Sequence, residues 1–252
     1  MIRIQALTKR YGRFTALEGL DLHVPAGETL VLLGPNGAGK TTAIRALTGQ
    51  LRPTEGRVEL AGVDVWRRPV AAKRLFGYVP DRPYLYGKLS AVELLRFVGR
   101  LYRMEPRRIE SRIEALLAEF RLERFASALI ETYSHGMRQK LTFAAALLPE
   151  PQVLIVDEPM VGLDPAAART VRTLLRRYSK PGRAVLFSTH QMELAEAAAD
   201  RVALLHEGRL RLLGAPNAVR AQHGDASLEE VFIQLTEDAA RDAAAAPEHP
   251  AP

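Results

Sequence analysis

Cysteine is missing from all 252 residues. That excludes disulfide frameworks, cysteine-ligated zinc, iron–sulfur clusters and thiol nucleophiles, and a reducing cytosolic address suits the chain best. Long apolar runs are missing too: none approaches the ~20 residues that cross a bilayer. The opening segment, Met1 to Phe14, has no apolar stretch of the signal-peptide kind. By itself the chain is expected neither to cross nor to anchor in a membrane. Lysine is scarce, with 6 against 29 arginines in a net charge of +6. In an alanine-rich chain this excess of arginine reads as base-composition bias. There is no aromatic-interleaved basic stripe of the single-strand-binding kind, so nucleic acid is not expected as a partner. Only two asparagines occur, Asn36 and Asn217, and that scarcity bears on the nucleotide base below.

With 47% hydrophobic and 25% charged residues, the chain is globular, of a length for one large domain or one plus a small partner. Residues 1–33 read as short strands and turns, closing on the apolar run Thr29–Leu33. Val153–Val156 and Ala184–Phe187 are two further runs of the buried parallel-strand kind. Helical pattern separates them, and Arg201–Leu205 with Arg209–Leu213 forms a closing pair of strands. Such alternation predicts an α/β fold with a mostly parallel sheet. Residues 88–132 differ. Ser90-x-x-Glu93 is a capping box, after which Leu94, Leu95, Val98, Leu101 and Tyr102 trace one apolar face. Pro106 opens a second helix, with Ile109, Ile113, Leu116, Leu117 and Phe120 on its buried side. We therefore expect a domain over 2–235: a core of 1–87 and 133–216 and a helical insertion at about 88–132. Ser227-x-x-Glu230 caps a last helix at about 227–238, with Leu228, Val231, Phe232 and Leu235 apolar. The Ala- and Pro-rich residues 239–252 are expected to form a disordered tail.

Between a predicted strand and a predicted helix stands Gly34-Pro35-Asn36-Gly37-Ala38-Gly39-Lys40-Thr41, followed by Thr42. It fits the G-x-x-x-x-G-K-[ST] pattern. The glycines let backbone N–H groups curl around phosphates, and the helix N-terminus adds its positive end. Lys40 would reach the β- and γ-phosphates, and the Thr41 hydroxyl would ligate Mg²⁺. Val153–Val156 then runs into Asp157-Glu158, at the strand edge where open α/β sheets bind ligands. Successive strand side chains point opposite ways, so the two acids are expected to have different jobs. An acid pair after a strand is often only a helix cap. Joined to a phosphate loop, Asp157 is placed to hold Mg²⁺ and Glu158 to polarise the attacking water. No N-K-x-D segment is available to read guanine, so GTP is not expected. A small-molecule kinase has no evident need of the second acid, which favours hydrolysis.

Tyr133-Ser134-His135-Gly136-Met137-Arg138-Gln139, before the acidic strand, resembles the signature sequence of the ATP-binding cassette (ABC) family. Gly162-Leu163-Asp164-Pro165 resembles that family's D-loop, and Ser188-Thr189-His190 its switch-histidine loop. Tyr11 lies where the family stacks an aromatic on adenine. Order and spacing match from about residue 2 to residue 216. The resemblance implies a P-loop NTPase (RecA-like) core with an antiparallel β N-terminal part and an inserted helical subdomain. It implies ATP and Mg²⁺ as ligands, held by Tyr11, residues Gly34 to Thr42, Thr41 and Asp157. It also implies a homodimer of cassettes, head to tail when ATP is bound. Ser134 and the Gly136 N–H would touch the γ-phosphate held by the opposite copy, with Asp164 contributing across the same interface. Ser134 would equally be an ordinary N-cap, which is what builds an anion site. A histidine after a strand is usually structural, but its place after Ser188-Thr189 gives His190 a γ-phosphate and water-orienting role.

Three departures stand out. Asp81 occupies the place of the usual Gln: it can ligate a metal but cannot donate, and is kept as a candidate metal ligand. His135 replaces a glycine and Met137 a glutamine of the signature. This form, with the closing helix, resembles the subgroup that serves exporters, which implies a separate membrane permease and a peripheral place on the inner face of the cell membrane. The permease would dock beside the Asp81 loop, with Pro83, Tyr84, Leu85 and Tyr86 as contacts. Arg96, Arg100, Arg103 and Arg107 share one helical face, to be read either as a solvated face or as one near the cytosolic leaflet or an acidic loop of the permease. The competing class is a soluble ABC-type ATPase that drives assembly or mechanical work. Its members in translation carry two cassettes, and those that hold chromosomes split the cassette with a long coiled coil; neither feature is here. A non-catalytic regulatory cassette is countered by Lys40, Asp157, Glu158 and His190.

Overall fold

The computed structural model describes residues 1–160 and 165–245. Strands β1 (Ile2–Tyr11) and β2 (Phe14–Val24) form a long antiparallel hairpin, not the short pieces expected. Its register slips between Ile4 and Leu7 and again beyond Leu7, which breaks the inside–outside alternation that would have revealed it. Then come β3 (Thr29–Leu33), α1 (Lys40–Leu47), β4 (Glu55–Leu60), β5 (Val63–Asp64), α2 (Pro69–Lys73) and β6 (Phe76–Val79). Helices α3 (Ala91–Leu101) and α4 (Pro106–Phe120) make up the insertion, and α5 (His135–Leu147) leads back to β7 (Val153–Asp157). The chain continues through α6 (Pro165–Tyr178), β8 (Ala184–Thr189), α7 (Met192–Ala198), β9 (Arg201–His206), β10 (Arg209–Gly214), α8 (Pro216–Gln222) and α9 (Leu228–Ala245).

Two sheets result. The first, β2-β1-β4-β5, is antiparallel; the second runs β10-β9-β3-β8-β7-β6 and is parallel except for β10. The parallel strands are buried on both faces, which is why they read as unbroken apolar runs. Leu30, Leu32, Ile155 and Leu186 pack toward α1 and the antiparallel sheet. Val31, Leu33, Leu154, Val156 and Phe187 pack toward α5, α6 and the insertion. Because β3, β6, β7 and β8 are parallel, the segments that follow them leave from one edge. Those segments are the glycine loop, the Asp81 turn, the acid pair and Thr189-His190.

Ser90 and Glu93 cap α3 reciprocally, Glu93 N–H to Ser90 Oγ at 3.3 Å and Ser90 N–H to Glu93 Oε2 at 2.7 Å. All five apolar residues expected on the inner side of α4 are buried. Of the α3 stripe, Leu94 and Leu95 are buried, but Leu101 is exposed at the lip of a groove. The insertion is tied to the core by Arg112 Nη2 to the Leu147 carbonyl at 3.1 Å and by the ion pairs Arg108–Glu150 and Arg177–Glu119. The last helix continues to Ala245, past the expected end near 238, because the Ala-rich sequence Asp238–Ala245 favours helix over coil. The rest of the expected tail, 246–252, lies outside the described residues.

Candidate functional site

The glycine loop is built by packing as much as by its ligand chemistry. Gly39 has φ 105°, and a Cβ there would lie 2.7 Å from Leu17 Cδ2 and 2.8 Å from the Ala16 carbonyl. Gly34, at φ 149°, would drive a Cβ into the Leu205 carbonyl. The loop is thus pressed between the hairpin and β9, and only glycine fits at either point. Its backbone wraps the amino end of α1, whose first residue is Lys40. That side chain is buried, at 5% exposure. It donates to the Gly34 carbonyl at 2.6 Å and to the Pro35 carbonyl at 3.0 Å, and its Nζ lies 3.7 Å from Glu158 Oε1. Burial holds the Lys40 ammonium below its ordinary pKa, against the opposing pull of Glu158 and Asp157.

Asp157, 2% exposed, ends β7 directly opposite Ser188 of β8. The Ser188 hydroxyl donates to Asp157 Oδ1 and accepts the Glu158 N–H at 3.1 Å. One hydroxyl therefore fixes both acids. Burial raises the Asp157 carboxyl above its usual range; the Ser188 bond opposes this, while Asp81 and Glu158 add to it. Tyr78 on β6 is pushed up to about 12, first by burial and then by the Asp157 carboxylate. The carboxylates of Asp81, Asp157 and Glu158 line the pocket of the glycine loop together with the ammonium of Lys40.

Glu158 has φ 47°, a left-handed backbone that costs a non-glycine residue about 1 kcal/mol. The turn ends the strand alternation, so Asp157 and Glu158 line one pocket, where opposite directions were expected. Their jobs can still differ. Asp157 is locked by Ser188, whereas Glu158 meets His190 Nδ1 at 3.1 Å from each carboxylate oxygen. His190 is itself half exposed.

Tyr11 and Phe14 stand at the mouth of this pocket, with Pro35, Asn36, Gly37, Gly39, Lys40, Thr41, Thr42 and Asp81 around it. The Lys9 ammonium lies 5.0 Å from the centre of the Tyr11 ring, so this exposed aromatic already carries a cation on one face. Ala38 is buried behind the loop, its carbonyl taking the Gly208 N–H at 3.1 Å. Oxygen donors fit a hard cation: Thr41, Asp157 and Asp81 line the same pocket, and Asp81 is near enough to raise the Asp157 pKa. Among the described residues no three His, Cys, Asp or Glu close into a cage, so a cation here would need phosphate oxygens to complete its shell.

Ser134 caps α5, its Oγ accepting the Met137 N–H at 3.3 Å. Neither Ser134 nor Gly136 lines the pocket of the glycine loop. Their neighbours His135 and Arg138 instead line a second cleft with Asn36, Asp81, Arg82, Glu158 and His190. Asp164 lies outside the described residues. A groove between β6 and the insertion is walled by Tyr84, Leu85, Tyr86, Phe97, Leu101 and Tyr102, with Tyr84 85% and Tyr86 63% exposed. Sequence reasoning missed the role of Ser188, since only the strand register sets its hydroxyl against Asp157. It also missed Phe14, whose place at the mouth depends on the hairpin.

Comparison with known proteins bears on this geometry. The family model for "ABC transporter" matches residues 17–161, more than half the chain. The daunorubicin resistance ATP-binding protein DrrA3 of Streptomyces coeruleorubidus is 38% identical over 92% of this chain and 73% of its own length. The Nod factor export ATP-binding protein I of Paraburkholderia xenovorans is also 38% identical, over 92% and 76%. Among solved structures, an ATP-binding subunit of an ABC transporter superposes with a TM-score of 0.88 at 35% identity, over 94% of this chain and 99% of that one. A dimeric ATP-binding cassette in a post-hydrolysis state with ADP and Pi gives 0.77 at 25%, over 85% and 98%. With that likeness spanning nearly the whole chain, the protein belongs to the ABC transporter ATP-binding family.

Proposed function

We propose that the chain is the ATP-hydrolysing subunit of a membrane exporter. The observation that carries the reading is the Glu158 carboxylate, held between Lys40 at 3.7 Å and His190 at 3.1 Å on the lip of the phosphate-loop pocket. ATP would lie with its adenine against Tyr11 and its phosphates on the backbone of residues Gly34 to Thr42. Lys40 would exchange its carbonyl partners for phosphate oxygens. Thr41, Asp157 and Asp81 would hold Mg²⁺, which when bound neutralises phosphate charge and satisfies the negative pocket floor. Glu158 then takes a proton from the attacking water, and His190 orients the carboxylate and the γ-phosphate.

A second copy completes the site. Ser134 and Gly136 cap an anion-seeking helix end outside their own pocket, which suits phosphate held by a facing protomer; the dimeric cassette among the structural neighbours supports this. The aromatic groove beside Asp81 would receive the permease, so that closing and reopening of the dimer moves the membrane subunit. Export as the direction rests on the Nod factor relative. Among the described residues no helix is long and apolar enough to cross a membrane, so the chain would sit at the inner face of the membrane through its partner.

The test is Glu158→Gln. It should keep ATP binding by calorimetry, lose turnover by more than a hundredfold, and run as a dimer on size exclusion with Mg-ATP. A variant that still turns over at the wild-type rate would sink the base assignment.

A further inference from the structure

At one end of the permease groove, α2 and α3 finish side by side: the Tyr102 hydroxyl, next to the end of α3, donates to the carbonyl of Lys73, the last residue of α2, at 3.4 Å. This contact gathers five exposed cations, namely Lys73, Arg74, Arg100, Arg103 and Arg107. None of the five has an ion pair or side-chain hydrogen bond among the described residues. Arg96, which shares their sequence pattern, is not part of the group, because Glu110 takes its guanidinium with two bonds of 2.7 Å. Two carboxylates lie near the cluster: Glu105 caps α4 through the Arg108 N–H at 2.9 Å, and Glu110, already taken by Arg96, is near enough to Arg100 to feel its charge. Two large apolar side chains stand exposed on the same helices, Val70 at 69% and Leu101 at 63%.

We propose that this rim is a docking surface for the anionic phospholipid headgroups of the membrane in which the permease sits. Charge complementarity and position carry it. Unpaired cations beside exposed apolar side chains are the composition of surfaces that lie against anionic bilayers. Leu101 and Tyr102 line the groove itself, so docking there turns the rim toward the side from which a membrane partner approaches. The proposal rests on the transporter reading for its orientation only; the attraction is a property of this chain. The rim would hold the cassette level with the bilayer and raise its local concentration near the permease.

Flotation of the purified full chain with vesicles tests it, without permease or nucleotide, so that its outcome is independent of Glu158→Gln. The protein should float with vesicles of phosphatidylcholine containing about a third phosphatidylglycerol, and not with phosphatidylcholine alone. Arg100→Gln/Arg103→Gln/Arg107→Gln should lower partitioning roughly a hundredfold, and Lys73→Gln/Arg74→Gln roughly tenfold or more, each with basal ATPase rate retained. An equal-charge control at exposed cations elsewhere, Arg3→Gln/Arg176→Gln/Arg211→Gln, should lower it less than threefold. Equal binding to neutral vesicles, or a control that loses as much as the rim variant, overturns the proposal. So does failure of the wild type to float with anionic vesicles, which would leave the rim to an acidic segment of a protein partner.

Discussion

Ser188→Ala offers the sharpest test of how the acid pair is held. The hydroxyl is wholly buried, donates to Asp157 Oδ1 and accepts from the Glu158 N–H at 3.1 Å. Removing it deletes a bond to a charged group, worth about 2 kcal/mol, and orphans a backbone N–H at a cost of roughly 1 kcal/mol or more. The nucleotide-free protein should lose about 3 kcal/mol, a fall in Tm of about 6–12 °C for a chain of this size. The loss has a pH signature. The Ser188 bond favours the ionised carboxyl of Asp157 and partly offsets burial, so without it that pKa rises further. The acid limb of turnover should move to higher pH, which a merely structural cavity would not cause. A double-mutant cycle with Asp157→Asn isolates the pair. Asp157→Asn alone should raise the Tm of the nucleotide-free protein at neutral pH. Its folded pKa lies above the unfolded one, so ionisation costs stability as pH rises through that range, and the amide removes the cost. Thermal unfolding read by circular dichroism and a pH–rate profile supply both measurements. A Tm within about 1 °C of wild type, or an equal loss in both backgrounds, would refute the argument.

The remaining predictions concern the loop and the metal. Gly39→Ala must place a methyl against Leu17 and the Ala16 carbonyl at φ 105°, so calorimetry should show ATP affinity down by more than tenfold, about 1.4 kcal/mol or more. Gly37→Ala meets no atom within 4 Å at φ 85°, so it should lose less; equal losses would discredit the packing argument. Asp81→Asn removes one charge from the field that raises Asp157, so it should change the Mg²⁺ and Mn²⁺ titrations of turnover. Superimposable titrations would remove Asp81 from the metal.

How much of this was legible beforehand follows from where each signal is stored. The parallel strands are covered on both faces, so burial writes them directly as Leu-, Val- and Ile-rich runs, and the runs Val153–Val156 and Ala184–Phe187 fell one and two residues short of strands that end at Asp157 and Thr189. The capping box at Ser90 and the αα-hairpin of the insertion are likewise local. The antiparallel N-terminal part implied by the family resemblance is present, but the lengths of β1 and β2 were misjudged because their order is not local: the register shifts, and Gly56 must pass against the Ala6 carbonyl on another strand. The direction of Glu158 was misjudged for a related reason. Alternation holds only while the backbone stays extended, and here it does not.

That left-handed turn also sets which side chains Glu158 faces. The Glu158 carboxylate faces Lys40 on one side and His190 on the other, so Lys40 and Glu158 hold each other. An isolated buried ammonium would be costly, and Glu158 lowers that cost for Lys40, as the opposing pulls of burial and of Glu158 on the Lys40 pKa show. On the proposed function phosphate oxygens would compete for Lys40, and to the extent that they win it Glu158 would be released from that ammonium. In the proposed reaction its carboxylate would then be free to take a proton from the water that attacks the γ-phosphate. On the proposed function, release of Glu158 would thereby be tied to occupancy of the loop, through one residue whose left-handed backbone lets it face both partners.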